Sequence, residues 1–109
     1  MNLDQYQTEA MRTATDGEYY VSRLVNCALG ISGEGGELAD HIKKVVFHEH
    51  PLNREYLIKE LGDVLWYVAQ GAHALGVPLS EVAEENIAKL KRRYPDGFSR
   101  AASLFREDE

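Results

Sequence analysis

The chain has 109 residues, of which 44% are hydrophobic and 28% charged, and its formal net charge is −6 at pH 7. The length predicts one globular domain whose modest core is completed by oligomerisation. The acidic balance argues against general binding of nucleic-acid polymers, which need a basic surface. Cys27 is the single cysteine, so no intramolecular disulfide can form. Because no secretory leader or apolar stretch of roughly 18 residues is evident, we expect a cytoplasmic protein without membrane contact.

The N-terminal half is predicted to contain two helices, because its hydrophobic residues recur with a helical period. The first helix is predicted over about residues 4–14, followed by a turn near residues 16–17. The second is predicted over about residues 20–47. Its expected apolar face contains Leu24, Ala28, Ile31, Leu38, Ile42 and Val46.

A third helix is predicted after a loop at residues 48–52, where Pro51 removes a donor and disfavours helix at the preceding residue. Asn53 is the expected N-cap of this helix, which reaches about residue 75. Gly76 is the expected stop. The expected apolar face contains Leu57, Leu61, Val64, Leu65, Val68 and Ala72.

The C-terminal part is predicted to hold a fourth helix, capped by Ser80 and ending near residue 93. A turn at residues 94–97 and one short helical turn are expected after it. The predicted fold class is therefore all-α, a bundle of four to five helices. The two long central helices are antiparallel because their connection is short.

Two pairs of acidic residues recur at the same spacing on the two long helices. Glu34 and Glu37 lie three residues apart on the second helix, and Glu60 and Asp63 lie three apart on the third. Each pair borders the expected apolar face, so packing the two faces together brings all four carboxylates to one seam. Partly desolvated carboxylates repel one another unless their pKa values rise or a cation neutralises them.

A divalent metal site is one interpretation of these pairs, and a solvated acidic surface is the other. Mg²⁺ and Mn²⁺ prefer oxygen ligands, and phosphate chains commonly share such ions with carboxylates. The glycines at positions 33, 35 and 36 weaken the helix by roughly 1 kcal/mol each and leave room for an ion, water or substrate. A ferritin-like di-iron site is disfavoured, because it needs Glu-x-x-His pairs and none of the four histidines has Glu three residues before it.

Several further side chains are candidates for substrate binding. Asn86, Lys89 and Arg93 share a face of the fourth helix, although cations at a helix C-terminus also complement its dipole. Lys44 follows the first acid pair and is either a phosphate contact or an exposed lysine. Tyr67 lies one turn beyond Asp63, where it either lines a nucleotide pocket or packs in the core.

Structural roles are expected for three other residues. Trp66 is expected to pack in an interface or a second core, because it points away from both the acids and the apolar face. His41 is expected to be a hydrogen-bonded neighbour of the acids, and Cys27 a buried structural thiol.

Three segments together resemble the MazG-like nucleotide pyrophosphohydrolases of the all-α NTP pyrophosphatase superfamily. GEGGELAD at residues 33–40 and KELGDVLWYV at residues 59–68 resemble the E-x-x-E…E-x-x-D signature of that family. ENIAKLKRRYPDGF at residues 85–98 resembles its closing helix. The resemblance covers roughly residues 20–98 of a single domain expected to span residues 1–109.

The resemblance implies Mg²⁺-dependent hydrolysis of a nucleoside triphosphate to the monophosphate and pyrophosphate, with Mn²⁺ as a possible substitute. It assigns catalysis and metal binding to Glu34, Glu37, Glu60 and Asp63, and substrate binding to the fourth-helix residues. It further implies a homodimer or a homotetramer built from dimers, and a role in clearing surplus or non-standard nucleotides. Phosphoribosyl-ATP or dUTP as substrate is an alternative within the enzyme class. A non-catalytic helical module that binds metal or a protein partner is the alternative outside it.

Overall fold

The described part of the chain, residues 1–14 and 19–106 of a computed structural model, is helical and contains no strand. The helices are α1 (Leu3–Met11), α2 (Tyr20–Phe47), α3 (Arg54–Ala74), α4 (Leu79–Arg93) and α5 (Arg100–Leu104). The all-α class and the predicted bounds of the second helix are confirmed. Within these residues, no helix combines the length and apolarity needed to cross a membrane.

The ends of α3 follow the signals predicted for them. The side chain of Asn53 accepts a hydrogen bond of 3.0 Å from the amide of Tyr56, which makes Asn53 the N-cap. At the other end the chain leaves the helix after Ala74, and Gly76 takes a positive φ of 74°. Glycine adopts that conformation without a steric penalty, so the expected stop is confirmed.

The first helix ends three residues earlier than predicted, at Met11. The carbonyl of Ala10 accepts hydrogen bonds from the Thr13 hydroxyl at 2.8 Å and from the indole of Trp66 at 3.0 Å. The Ala14 amide bonds to the Met11 carbonyl instead, so a tighter turn replaces continued α-helix. The turn predicted near residues 16–17 lies outside the described residues.

The prediction that Ser80 caps the fourth helix is wrong, because α4 begins one residue earlier, at Leu79. The side-chain oxygen of Gln7, on α1, accepts a hydrogen bond of 2.9 Å from the Leu79 amide. The Gln7 amide group donates to the carbonyl of Val77 at 3.1 Å. A side chain from another helix therefore satisfies the first amide of α4.

The described residues form two compact units, Met1–Leu79 and a second that begins at Ser80. In the first unit, α2 packs antiparallel to α3, and α1 packs on α3. A small core of Ala69, Ala72 and Leu79 lies there, with Tyr6 and Met11 of α1 against it. The second unit holds most of α4, a turn in which Gly97 has a positive φ of 91°, and α5 with its N-cap Ser99.

Small and polar side chains form the seam between α2 and α3. A Cβ atom at Gly30 would overlap the ring of Tyr67, and one at Gly71 would lie 2.7 Å from the Cys27 sulfur. These two glycines therefore let the helices approach closely. Burial raises the pKa of the Cys27 thiol, although this residue is only half-buried where full burial was expected.

The apolar faces predicted for the two long helices are wrong at several positions. In the first unit Val46 and Leu61 are 63% and 58% exposed. The other predicted members that are exposed are Ala28, Ile31, Ile42 and Leu65. Glu34 and Glu60 lie in the seam, where the prediction expected branched apolar side chains. The acids were expected beside the apolar contact, and two of them lie within it.

Candidate active site

Three carboxylates meet where the middle of α2 faces the middle of α3. Oxygen atoms of Glu34, Glu37 and Glu60 all lie within 4.8 Å of one another. Glu34 and Glu37 come from the same face of α2 because they are three residues apart. Glu60 enters from α3 and is only 8% exposed, whereas Glu37 is exposed. The structure thus brings together three of the four predicted ligands, and Asp63 lies outside this cluster.

The proton of Glu60 is held unusually tightly. The pKa of Glu60 rises from its ordinary value near 4.5 to about 7. The largest cause is a hydrogen bond with the carboxyl group of Glu34, followed by burial and by the negative charges of Glu37 and Glu34. A carboxyl group placed this way favours its neutral form, so Glu60 is about half protonated at neutral pH.

The cluster has the features of a site for a hard cation. One oxygen of Glu34 and one of Glu60 are buried, and neither has a hydrogen-bond partner in the described part of the chain. Such acceptor atoms are costly to bury alone, and a cation satisfies them. Carboxylate oxygens are the donors that Mg²⁺ and Mn²⁺ prefer. The residues present therefore fit a divalent ion of this type.

The glycines beside the acids have open space around them in the described part of the chain. A Cβ atom added at Gly33, Gly35, Gly36 or Gly62 would have no other atom within 4 Å beyond its own helix and chain neighbours. The space expected around the acids is present. Within the described residues, no contact requires glycine at these four positions.

Tyr56 and Asp40 belong to the surroundings of the cluster, and the sequence interpretation missed both. Tyr56 lies one turn before Glu60 on α3, a spacing that places both residues on one face. Burial raises the pKa of Tyr56, as do nearby carboxylates, first that of Glu60. The four-residue spacing from Glu60 was the signal in the sequence that could have identified it.

Lys44 is paired with an acid of its own helix. Its ammonium group lies 2.9 Å from one oxygen of Asp40, and that of Lys43 lies 3.1 Å from the other. The hydrogen bond from Lys44, and then that from Lys43, lowers the pKa of Asp40. All three side chains are substantially exposed, so these pairs contribute little to stability. A substrate phosphate would have to compete with Asp40 for Lys44.

The two aromatic residues after Asp63 pack against the helices around them. The ring of Tyr67 lies against Gly30 and meets Trp66 edge to face, with 5.1 Å between ring centroids. The indole of Trp66 donates hydrogen bonds to the Ala10 carbonyl at 3.0 Å and the Thr13 hydroxyl at 2.9 Å. Trp66 is therefore held against the C-terminal end of α1 and the turn that follows it.

The remaining predicted substrate contacts lie on α4, in the second unit. Asn86 is exposed there, and Lys89 and Arg93 are half-buried. His41, on α2, is the hydrogen-bonded neighbour that was expected, because its Nε2 atom accepts from the Asn53 amide at 3.2 Å.

Comparison with known proteins identifies the family of this chain. A sequence model described as the MazG nucleotide pyrophosphohydrolase domain matches residues 25–98. The chain belongs to this family. The matched residues of the MazG domain include both acid pairs and all of α3 and α4. The resemblance inferred from the sequence is thereby confirmed.

A curated relative also resembles this MazG domain over most of its length. It is the Gene 37 protein of Mycobacterium phage L5, which is 38% identical over 111 residues. The alignment covers 89% of this chain and 92% of the phage protein. No solved structure matches the chain significantly.

The raised pKa of Glu60 predicts a pH dependence of stability in the metal-free protein. The folded state holds its proton up to about pH 7, whereas the unfolded chain releases it near pH 4.5. The contribution of Glu60 to the free energy of unfolding therefore decreases as the pH rises through this range. We expect the melting temperature of the wild type, measured with EDTA, to fall between pH 5 and pH 8 relative to that of Glu60→Gln. A constant difference between the two proteins over this range would contradict the assignment.

Proposed function

We propose that this MazG domain is a Mg²⁺-dependent nucleoside triphosphate pyrophosphohydrolase that converts (d)NTP to (d)NMP and pyrophosphate. The observation that carries the proposal is the cluster of Glu34, Glu37 and Glu60, two of whose oxygens are buried without a partner in the described chain. This cluster lies within the residues that match a nucleotide pyrophosphohydrolase family.

Glu34, Glu37 and Glu60 would hold the metal, and Asp63, the fourth acid of the signature, would complete the set. Mg²⁺ is the proposed ion and Mn²⁺ a possible substitute, because both prefer oxygen donors. When bound, the ion supplies positive charge that offsets the carboxylates and the phosphates of the substrate.

Different acids of the cluster have different surroundings and therefore suit different tasks. Glu60 is buried in the seam, and Glu34 is half-buried beside it. Glu37 is the exposed member, so its carboxylate can reach water and accept a proton from it. In the overall reaction water adds across the bond between the α- and β-phosphates, which breaks to give the two products. The proton released by the water passes to the acid that serves as base.

Further side chains are proposed to bind the substrate. Lys89 and Arg93 on α4 would offset charge on the departing pyrophosphate, and Asn86 would hydrogen-bond phosphate or sugar. Lys44 and Tyr67 are proposed as further contacts from the first unit. All 109 residues would then act as one domain, with the motif-bearing core at about residues 20–98. The expected role is the clearance of surplus or non-standard nucleotides in the cytoplasm.

A substrate panel tests the proposed activity. Each dNTP and NTP is incubated with the protein and Mg²⁺, and monophosphate, diphosphate, pyrophosphate and phosphate are resolved. Pyrophosphate is expected from at least one substrate, and kcat is expected to fall about 100-fold or more in Glu37→Gln and Asp63→Asn. Glu55→Gln is the matched control, because Glu55 is an exposed acid in the first turn of α3 outside the cluster.

Two outcomes of the panel would contradict the proposal. No pyrophosphate from any substrate, with metal still bound, would favour the non-catalytic module. Diphosphate with orthophosphate would show that a different bond is cleaved. Full Mg²⁺-dependent activity in Glu37→Gln or Asp63→Asn would instead contradict the assignment of that residue.

Assembly as a homodimer, or as a homotetramer built from dimers, is also part of the proposal. Apolar side chains on the flanks of the first unit support it. They are Val25, Leu29, Ile42 and Val46 on α2, and Ile58 and Leu61 on α3, each 43–68% exposed. A second copy of the chain would remove such surface from water, which favours association.

Light scattering after size-exclusion chromatography tests the proposed assembly. We expect a molar mass of two or four times the chain mass of 12.3 kDa. A mass equal to that of one chain at micromolar concentration would contradict the assembly.

A further inference from the structure

Tyr56 lies in the layer of the seam that directly follows the carboxylates. On α3 it is one turn before Glu60, and on α2 its partner His41 is one turn after Glu37. The rings of Tyr56 and His41 contact each other across the seam, with 5.0 Å between centroids and 52° between planes. The His41–Tyr56 pair thus borders the cluster at the end nearest the α2–α3 connection.

Two hydrogen bonds and one ring contact around Tyr56 hold its ring in this place. The amide of Tyr56 donates to the side chain of Asn53, the N-cap of α3, at 3.0 Å. The amide of Asn53 in turn donates to Nε2 of His41 at 3.2 Å. His41 is fixed by that bond and packs against the ring of Tyr56 at a tilt. A side chain held by its backbone, its cap and its neighbour loses little conformational freedom when it binds a ligand.

Tyr56 lies on the same face of α3 as Glu60, in the layer next to the acids. Its electrostatic neighbours include Glu60, Glu37 and Glu34, whose charges all act on the phenol. Burial and these charges raise the pKa of the Tyr56 phenol, so it stays a protonated donor at neutral pH. A hydroxyl donor held beside the carboxylate cluster is available to a ligand bound there.

We propose that Tyr56 is a substrate-contact residue whose hydroxyl group donates a hydrogen bond to an acceptor oxygen of the nucleotide bound over the carboxylate cluster. This inference rests on the proposed function, since it assumes that a nucleotide is the ligand of the cluster. It assigns to Tyr56 a role that the acid signature does not contain. The acceptor is an oxygen of either the phosphate chain or the nucleoside, and the experiment below distinguishes the two.

Tyr56→Phe removes the hydroxyl group and keeps the ring that packs on His41. We expect the dissociation constant of an α,β-methylene dNTP analogue, measured by calorimetry with Mn²⁺, to increase about tenfold. KM for the hydrolysed substrate should rise by a similar factor, with kcat changed much less, while the melting temperature stays that of the wild type. Tyr20→Phe is the matched control, because Tyr20 is a 53% exposed tyrosine at the start of α2.

Inorganic pyrophosphate as a second titrant identifies the acceptor. Weaker binding of both pyrophosphate and the analogue would place the hydrogen bond on the phosphate chain. Weaker binding of the analogue alone would place it on the nucleoside. Equal dissociation constants for wild type and Tyr56→Phe with both titrants would overturn the inference, as would failure of the wild type to bind the analogue. If the wild type binds the analogue and hydrolyses nothing, the proposed function fails and the comparison still tests Tyr56.

Discussion

Like charges are held together in the seam between α2 and α3, and the rest of the first unit is arranged around that constraint. Three carboxylate groups within 4.8 Å of one another cannot all be ionised and dry without a large cost. The metal-free protein lowers this cost with a proton, which is why the pKa of Glu60 rises to about 7. A divalent cation lowers it further, because it also satisfies the buried oxygens that have no partner among the described residues.

The packing on either side of the acids keeps them in place. On one side Gly30 and Gly71 let the helices approach until Tyr67 and Cys27 touch the opposite backbone. On the other side the His41–Tyr56 pair closes the seam next to the N-cap of α3. Filling the seam with small and polar groups displaces branched apolar residues to its flanks. The exposed flanks that support assembly of several copies are therefore a consequence of the buried acids.

The sequence predicted most accurately those features that depend on local interactions. The bounds of α2, the N-cap Asn53 and the stop at Gly76 follow from short-range steric and hydrogen-bonding preferences. The errors in the predicted helix ends arose where contacts between residues far apart in the sequence changed the local hydrogen bonding. Trp66 takes the carbonyl that would have continued α1, and Ser80 lies inside α4, whose first amide bonds to Gln7.

At the candidate site, too, local features were predicted correctly and features that depend on distant contacts were not. The matched spacing of two acid pairs was sufficient to predict a common cluster, because residues three apart share a helix face. The spacing could not reveal which acid is buried, since that depends on the rotation of α3 against α2. Tyr56 was missed for a related reason: its neighbour His41 belongs to the opposite helix. Apolar periodicity alone gave the wrong contact face, because it assumes that the most hydrophobic side chains meet.

Binding of Mn²⁺ to the protein, followed by electron paramagnetic resonance, tests the central claim most directly. The free ion gives a strong signal that is lost on binding, so a titration counts the bound ions and gives their affinity without reference to any reaction. We predict saturable binding to the wild type and to Glu55→Gln, and a loss of affinity of at least about tenfold in Glu60→Gln. Equal binding by all three proteins, or none by the wild type, would contradict a metal site at the carboxylate cluster.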